Sequence, residues 1–252
     1  MIATDLHTHT RYSDGENTPE EMIQAAIRLD MDCIGFSDHS YTPFDEGYCM
    51  SPEATKAYKE EISELRQKYR GQIRVCLGVE QDYYSPEGVS GYEYVIGSVH
   101  YIKLGGLYVS VDDGKETFIK NVEDYFGGDY IAFSELYYAT VADVVRQTHA
   151  DIIGHFDLVS KYNGDNELFN EQDPRYVLSW QKAVDELIHT EKPFEINTSQ
   201  IAKGRKDHPY PSPDIIEYIQ KKSGHFVLSS DSHSTRTLCY GFSDYEHLVS
   251  EY

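Results

Sequence analysis

Short apolar runs alternate with longer amphipathic segments along the whole chain. The runs are rich in isoleucine, valine and aromatic residues and are four to eight residues long, a pattern typical of buried parallel strands. They predict strands over residues 2–6, 33–37, 73–80, 94–100, 151–155, 194–197 and 226–230.

Several of the segments between these runs begin with strong helix-start signals. Thr18-Pro19-Glu20-Glu21 offers an N-cap threonine, a proline at the first helical position and a capping-box glutamate. A serine followed by a proline and an acidic residue repeats this start at Ser51 and at Ser212. Further helices are predicted over residues 115–126, 134–149 and 175–191, a hairpin over 101–114, and a polar surface loop over 163–174.

Alternation of strands and helices over a whole chain favours a parallel sheet with right-handed crossovers. Seven such strands could close into a barrel or stay open and doubly wound, and we favour the barrel. No internal repeat, low-complexity tract or linker divides the sequence. Residues 1–252 are therefore interpreted as a single α/β domain.

Charge narrows the range of partners. Lys and Arg total 22 against 43 Asp and Glu, which gives a formal charge of −21. Such an anion repels phosphate backbones and anionic lipid, so neither nucleic acid nor a membrane is an expected partner. The four cysteines form no C-x-x-C pair, and the sequence shows neither a signal peptide nor a membrane span. These features predict a cytoplasmic protein. They make no prediction of oligomeric state.

Histidines and carboxylates follow nearly every predicted strand. In a parallel barrel the carboxyl ends of the strands share one face, so side chains far apart in sequence become neighbours there. Each residue alone also fits a plainer structural role, such as a core histidine, a helix cap or a solvent-exposed carboxylate. Their shared position favours a metal centre, with these candidate ligands: His7, His9, Asp14, His39, Glu80, His100, His155, Asp231 and His233.

The types of ligand indicate which metals would bind. Imidazole and carboxylate without thiolate suit Zn, Mn or Fe, whereas Mg or Ca alone would not call for six histidines. Nine candidates are too many for one tetrahedral ion. We therefore expect two or three divalent metal ions, with Glu80 as the shared carboxylate.

At these residues the chain resembles the polymerase-and-histidinol-phosphatase (PHP) superfamily of metal-dependent phosphoesterases, and within it the monofunctional histidinol-phosphate phosphatases. The similarity covers nearly the whole chain with the motifs in family order. The matching segments are Asp5-Leu6-His7-Thr8-His9-Thr10, Ser13-Asp14-Gly15, Phe36-Ser37-Asp38-His39-Ser40, Leu77-Gly78-Val79-Glu80, Ile96-Gly97-Ser98-Val99-His100, Ile153-Gly154-His155-Phe156-Asp157-Leu158, Phe194-Glu195-Ile196-Asn197-Thr198 and Ser229-Ser230-Asp231-Ser232-His233-Ser234.

The resemblance implies a distorted seven-stranded TIM-like barrel with a trinuclear metal site. The implied ligands are His7, His9, Glu80 and Asp231 for the first metal, Glu80, His100 and His155 for the second, and Asp14, His39 and His233 for the third. Asp14 stands where other branches of the superfamily carry histidine, which bears on the metal preference of the third position. Phe156 stands where the family commonly has proline.

The implied reaction is hydrolysis of a phosphomonoester. A water bridging two cations would lose its proton near neutral pH and attack phosphorus in line. Asp231 could accept that proton, and Asp231 or His233 could deliver one to the leaving alcohol. Lys161, Lys203 and Arg205 are candidate contacts to the phosphate, although each could equally be a solvated surface cation.

The leading function is that of an L-histidinol-phosphate phosphatase in histidine biosynthesis. Its substrate also carries a cationic amine and an imidazole, which an acidic rim containing Glu116 or Glu135 would attract. Two alternatives stay open. One is the same site acting on a nucleotide, a sugar phosphate or an oligonucleotide, and the other is a metal-binding module without catalysis.

Overall fold

A ring of seven parallel strands forms the centre of the computed structural model, which describes residues 4–249. The strands in chain order are β1 (Thr4–Asp5), β2 (Cys33–Phe36), β3 (Arg74–Asp82), β4 (Tyr94–Ser98), β5 (Tyr101–Leu104), β6 (Leu107–Ser110), β7 (Ile152–Ile153), β8 (Phe194–Asn197) and β9 (Phe226–Ser229). The parallel sheet has the neighbour order β1-β2-β3-β4-β7-β8-β9, while β5 and β6 pair with each other in an antiparallel hairpin.

The first and last strands of the sheet meet, which closes the ring. Just past their ends, Thr8 and Ser232 form a parallel bridge. The backbone N–H of His9 donates to the carbonyl of Ser232 at 2.8 Å, and the N–H of Ser232 donates to the carbonyl of His7 at 3.2 Å. Nearby, the buried carboxylate of Asp5 accepts the N–H groups of Ser230 and Cys239. The barrel alternative is therefore confirmed over the open sheet.

α-Helices lie outside the ring. Within residues 4–249 they are α1 (Pro19–Arg28), α2 (Pro52–Lys68), α3 (Lys115–Phe126), α4 (Tyr130–Val141), α5 (Val144–Thr148), α6 (Pro174–Leu187), α7 (Ser199–Ala202), α8 (Pro213–Lys221) and α9 (Phe242–Tyr245). The capping box predicted at Thr18 is present, and Pro52 and Pro213 stand in the first turn of their helices, as predicted. None of these helices combines the length and apolar character that crossing a bilayer requires.

Several predicted boundaries were wrong. The single helix expected over residues 134–149 is two helices: α4 begins earlier, because Asp129 accepts the N–H of Ala132 as its N-cap, and the chain breaks again before α5. The helix expected to reach residue 191 ends at Leu187 and continues as one 3₁₀ turn. Of the first predicted strand, residues 2 and 3 lie outside the described part of the chain. The hairpin over residues 101–114 is confirmed.

Two glycines make room for an aromatic side chain against the parallel sheet. A Cβ atom at Gly35 or Gly78 would collide with the side chain of Tyr94, which lies against these two strands. The Tyr94 hydroxyl donates to the carbonyl of Leu6 at 2.5 Å and lies 3.1 Å from that of Phe36. Leu6 and Phe36 each precede a predicted ligand segment. The Tyr94 hydroxyl therefore fixes the backbone of both strands just before these segments begin.

Candidate metal centre

All nine predicted ligands lie at the carboxyl end of the ring, around one cavity of about 660 Å³. His7 and His9 are fully buried behind the cavity wall. The residues of the set that line the cavity directly are Asp14, His39, Glu80, His100, His155, Asp231 and His233. The predicted convergence of these side chains is thus what the fold produces.

Glu80 is the centre of the cluster. It lies inside β3 rather than at its end, and only 1% of its side chain is exposed. Five ring nitrogens surround its two oxygens: Oε2 lies 2.9 Å from His39 Nδ1, 3.2 Å from His7 Nε2 and 3.5 Å from His9 Nε2, and Oε1 lies 2.8 Å from His155 Nε2 and 3.5 Å from His100 Nε2. One carboxylate therefore contacts histidines that follow four different strands.

A second carboxylate, Asp14, joins the histidines nearer the cavity mouth. Its Oδ2 lies 3.2 Å from His233 Nε2, and its Oδ1 lies 3.6 Å from His39 Nε2 and 3.7 Å from His9 Nδ1. Asp231 completes the cluster, with Oδ1 3.2 Å from His9 Nε2. Asp231 also adopts the left-handed backbone conformation with a φ of 50°, which aspartate tolerates better than most residues.

Three groups of ligand atoms are compact enough to hold an ion, each with its atoms within 4.8 Å of one another. They are His9, Asp14, His39 and His233; His7, His9 and Glu80; and His39, Glu80 and His100. The grouping differs in part from the one that the resemblance implied. His9 and His39 each belong to two groups, because their two ring nitrogens face different carboxylates.

Buried ligand atoms without hydrogen bonds indicate that this cluster fits divalent cations. His7 Nε2, both nitrogens of His9, and Glu80 Oε2 are buried, and although each lies close to other members of the cluster, none makes a contact with the geometry of a hydrogen bond among the described residues. A buried polar atom left without a partner costs about 1–3 kcal/mol, so several together need a cause. Electron-pair donors that face one another in a dry cluster are the arrangement that Zn, Mn or Fe would satisfy.

Protonation is divided unevenly within this cluster. Burial alone raises the pKa of Glu80 and of Asp231, but the neighbouring histidines hold both well below their usual range. Burial alone lowers the pKa of His7, yet Glu195, Glu80 and Asp231 raise it well above its usual value. Burial and the nearby His233 and His39 lower the pKa of His9 to about 3. The carboxylates therefore stay ionised. His9 stays neutral, so one of its ring nitrogens carries a proton and the other has a free electron pair.

Two carboxylates that sequence reasoning missed orient the histidines from behind. Glu195 is fully buried in β8, and its Oε1 lies 2.5 Å from His7 Nδ1. Its Oε2 accepts the backbone N–H of His155 at 2.8 Å and the Asn197 side chain at 3.0 Å. Asp82 similarly lies 3.3 Å from His100 Nδ1. The sequence signal for both was a charged residue within or beside an apolar run. Such a residue is missed when only the positions that follow strands are considered.

Asp38 shapes the loop that carries Asp14. Asp38 lies in the segment after β2, where no helix begins among the described residues. Its buried carboxylate instead accepts the N–H of Thr10 at 2.8 Å, the hydroxyl of Thr10 at 3.0 Å and the hydroxyl of Ser13 at 2.6 Å. These bonds hold the segment after β1 against the segment after β2, and so bring Asp14 to His39.

The predicted phosphate contacts have different surroundings. Lys161, Lys203 and Arg205 all line the cavity. Lys161 is paired with Asp112 at 2.8 Å, whereas Lys203 and Arg205 form no ion pair within residues 4–249. The two carboxylates suggested for an acidic rim were wrong: Glu135 pairs with Arg175 on the outer helices, and Glu116 is not among the residues that line the cavity, where the acidic side chains other than the predicted ligands are Asp45, Asp112 and Asp113 instead.

Known proteins share both the sequence motifs and the fold. Residues 5–199 match the family described as the PHP domain. A probable histidinol-phosphatase of Deinococcus radiodurans is 30% identical to this chain, over 95% of this chain and 90% of that protein.

Two solved structures share the architecture. A Listeria monocytogenes protein matches with a TM-score of 0.83 at 19% identity, covering 96% of this chain and 99% of its own. The Lactococcus lactis histidinol phosphate phosphatase, in complex with zinc, L-histidinol and phosphate, matches with a TM-score of 0.72 at 21% identity, covering 98% and 92%. Because the family match extends over most of its length, this chain belongs to the PHP domain family.

Proposed function

We propose that this protein is a metal-dependent phosphatase that hydrolyses L-histidinol phosphate to L-histidinol and phosphate, a step of histidine biosynthesis. The observation that carries the proposal is the cluster of buried histidines around Glu80 at the base of an open cavity that contains both free cations and carboxylates. The name of the Deinococcus relative and the ligands of the Lactococcus structure support the same substrate.

The ligand atoms of the cluster would hold two or three divalent ions. We assign His7, His9, Glu80 and Asp231 to one ion, Glu80, His100 and His155 to a second, and Asp14, His39 and His233 to a third. The compact groups also place His9 with the third set and His39 with the second, which supports sharing of these two histidines between neighbouring ions. When bound, the ions would supply Lewis-acid activation of water and screen the charge of the phosphate. Glu195 and Asp82 fix the orientation of His7 and His100 toward them.

Asp231 is our assignment for the group that holds the proton of the attacking water. Its Oδ2 lies 3.3 Å from the Asn197 side chain, and its side chain reaches the cavity, 13% exposed. Either Asp231 or His233, whose ring nitrogen Nδ1 lies 3.5 Å from Asp231 Oδ1, then delivers a proton to the leaving alcohol. We expect Lys203 and Arg205 to attract the phosphate, because both line the cavity and neither forms an ion pair with an acidic side chain of the described residues.

Substitution of Asp231 by asparagine tests that assignment. Asparagine keeps the shape of the side chain but cannot take up a proton, so kcat is expected to fall by roughly 10²- to 10⁴-fold. Metal content measured by mass spectrometry is expected to stay close to the wild-type value, since the histidines remain. Equal turnover in the two proteins would remove Asp231 from the proton-transfer role.

A substrate panel with the metal-loaded protein tests the function itself. We expect kcat/KM to be highest for L-histidinol phosphate among that compound, nucleotides, sugar phosphates and an oligonucleotide. The net charge of −21 disfavours the oligonucleotide. Preference for another member of the panel would reassign the substrate. Bound metal without hydrolysis of any phosphomonoester would instead indicate a non-catalytic module.

A further inference from the structure

The cavity has two charged flanks that lie on nearly opposite sides of the ring. Lys203 and Arg205 follow α7, after β8, while Asp45 lies in the segment between β2 and α2. Around the ring, β3, β4 and β7 separate β2 from β8 on one side, and β1 and β9 separate them on the other. The strand order thus puts the two flanks on different sides of the metal cluster, so that a molecule with its phosphate near Lys203 would have to cross the cluster to reach Asp45.

Asp45 is a half-buried carboxylate held in one orientation. The Tyr101 hydroxyl donates to its Oδ2 at 2.5 Å, and the backbone N–H of Gly47 donates to its Oδ1 at 3.3 Å. Asp45 forms no ion pair with any residue between 4 and 249, whereas the neighbouring cavity carboxylate Asp112 is paired with Lys161. Each oxygen of Asp45 thus keeps acceptor capacity for a further donor.

Aromatic rings surround this carboxylate and connect it to the metal cluster. Phe44 stacks on Tyr108 of the hairpin, with centroids 3.7 Å apart and planes at 5°, and meets the edge of Tyr101 at 4.8 Å. Tyr48 lies 4.8 Å from the ring of His39. These contacts join the segment after β2 to the β5–β6 hairpin. Of these rings, Tyr48 and Tyr101 line the cavity beside the unpaired carboxylate, and aromatic rings of this kind attract cations.

From this arrangement we propose that Asp45, with Tyr48 and Tyr101 beside it, forms the subsite for the cationic end of the substrate and determines specificity. The inference rests on the proposed function, because histidinol phosphate carries an ammonium group and an imidazole beyond its phosphate. Sugar phosphates and nucleotides carry no such ammonium group, and an unpaired carboxylate disfavours their negative charge. Asp45 acts on binding of the organic part and takes no part in the transfer of phosphate.

The test compares two substrates in three proteins. Rates for L-histidinol phosphate and for para-nitrophenyl phosphate, which has no cation, are measured in wild type, Asp45→Asn and Glu46→Gln, all loaded with the same metal. Glu46 is a matched control, since it is an exposed neighbour on the same segment that accepts the Tyr41 hydroxyl and does not line the cavity. Inhibition of para-nitrophenyl phosphate hydrolysis by L-histidinol gives a second readout, independent of turnover of the natural compound.

In Asp45→Asn, the ratio of kcat/KM for histidinol phosphate to that for para-nitrophenyl phosphate is expected to fall roughly ten- to hundredfold, mainly through KM, because the acceptor loses the negative charge that pairs with the ammonium group. The inhibition constant of L-histidinol is expected to rise by a similar factor, and Glu46→Gln to keep the wild-type ratio. An unchanged ratio in Asp45→Asn, or an equal loss for both substrates, overturns the specificity role alone. A wild-type protein that hydrolyses para-nitrophenyl phosphate but not histidinol phosphate overturns the proposed function and this inference with it.

Discussion

Glu195 places a negative charge in a strand whose four residues are all buried. The charge is tolerated because both oxygens are bonded, one to the His7 ring and the other to the His155 backbone and the Asn197 side chain. Through these bonds one carboxylate positions ligands that follow β1 and β7. With a metal ion bound, this pairing would hold the His7 proton on Nδ1 and leave the electron pair of Nε2 for the ion.

We expect Glu195→Gln to weaken metal binding roughly ten- to hundredfold, because glutamine cannot hold the His7 tautomer as strongly. Zinc or manganese affinity measured by calorimetric titration, with metal content per chain, checks this. Glu186→Gln on the exposed face of α6 is the control and should bind as wild type does. Wild-type affinity in Glu195→Gln would show that His7 is oriented by its other contacts.

For individual residues, the sequence predicted the location correctly wherever a residue followed a strand, since the carboxyl ends of parallel strands lie on one face of the barrel. It was uninformative for partners fixed by packing. Lys161 has the position of a phosphate contact, but Asp112, 49 positions earlier, occupies its ammonium group. Glu80 also lies inside β3 rather than after it, although its predicted place at the centre of the site agrees with the structure.

The Asp112–Lys161 pair connects two elements, the segment after β6 and the 3₁₀ turn at Leu158–Ser160. Burial raises the pKa of Asp112, but the Lys161 ammonium lowers it to about 2, below its ordinary value of 3.8. Because the folded-state pKa is the lower one, the pair stabilises the fold above pH 4. That contribution is lost as the pH falls from about 4 through 2, and it amounts to about 2 kcal/mol.

Asp112→Asn is therefore expected to lower the free energy of unfolding at pH 7 by about 2 kcal/mol, with the gap to wild type narrowing below pH 4. Urea unfolding across pH 7 to 3, with chelator present in every sample, measures the gap. Asp113→Asn is the adjacent control, as Asp113 is exposed and its side chain has no ion-pair partner among the described residues. A gap of constant size at every pH would mean that charge is not its source.

The order of elements could be predicted because apolar runs and helix starts are local signals. Boundaries set by a single side chain were harder to predict. The Asp129 cap moves the start of α4 ahead of residue 134, and the short α7 has no side-chain cap to reveal it. Strand β7 contains only Ile152 and Ile153, fewer residues than its apolar run suggested.

For the molecule as a whole, metal binding is expected to be a large part of the folding free energy. The cluster brings together unpaired donors and ionised carboxylates that only cations relieve. At a metal concentration of about 100 times Kd, the gain is about 2.7 kcal/mol per ion, which for a chain of this size raises Tm by about 5–10 °C.

Differential scanning calorimetry before and after chelation, and after reloading with zinc, measures that shift. His149→Asn serves as the control, since His149 is exposed in the loop before β7 and stands apart from the cluster. Its melting temperature should respond to metal as the wild-type value does. Identical melting temperatures with and without metal would contradict the proposed centre.

The closure between β1 and β9 has a consequence for when the enzyme becomes competent. His7 and His9 stand on one side of that joint and Asp231 and His233 on the other, and the bonds across it link residues as much as 234 positions apart. Contacts over such separations form late, because the entropy of closing the whole loop must be overcome first. A chain whose ring is still open therefore has only part of the ligand set, so catalysis begins only once folding is complete.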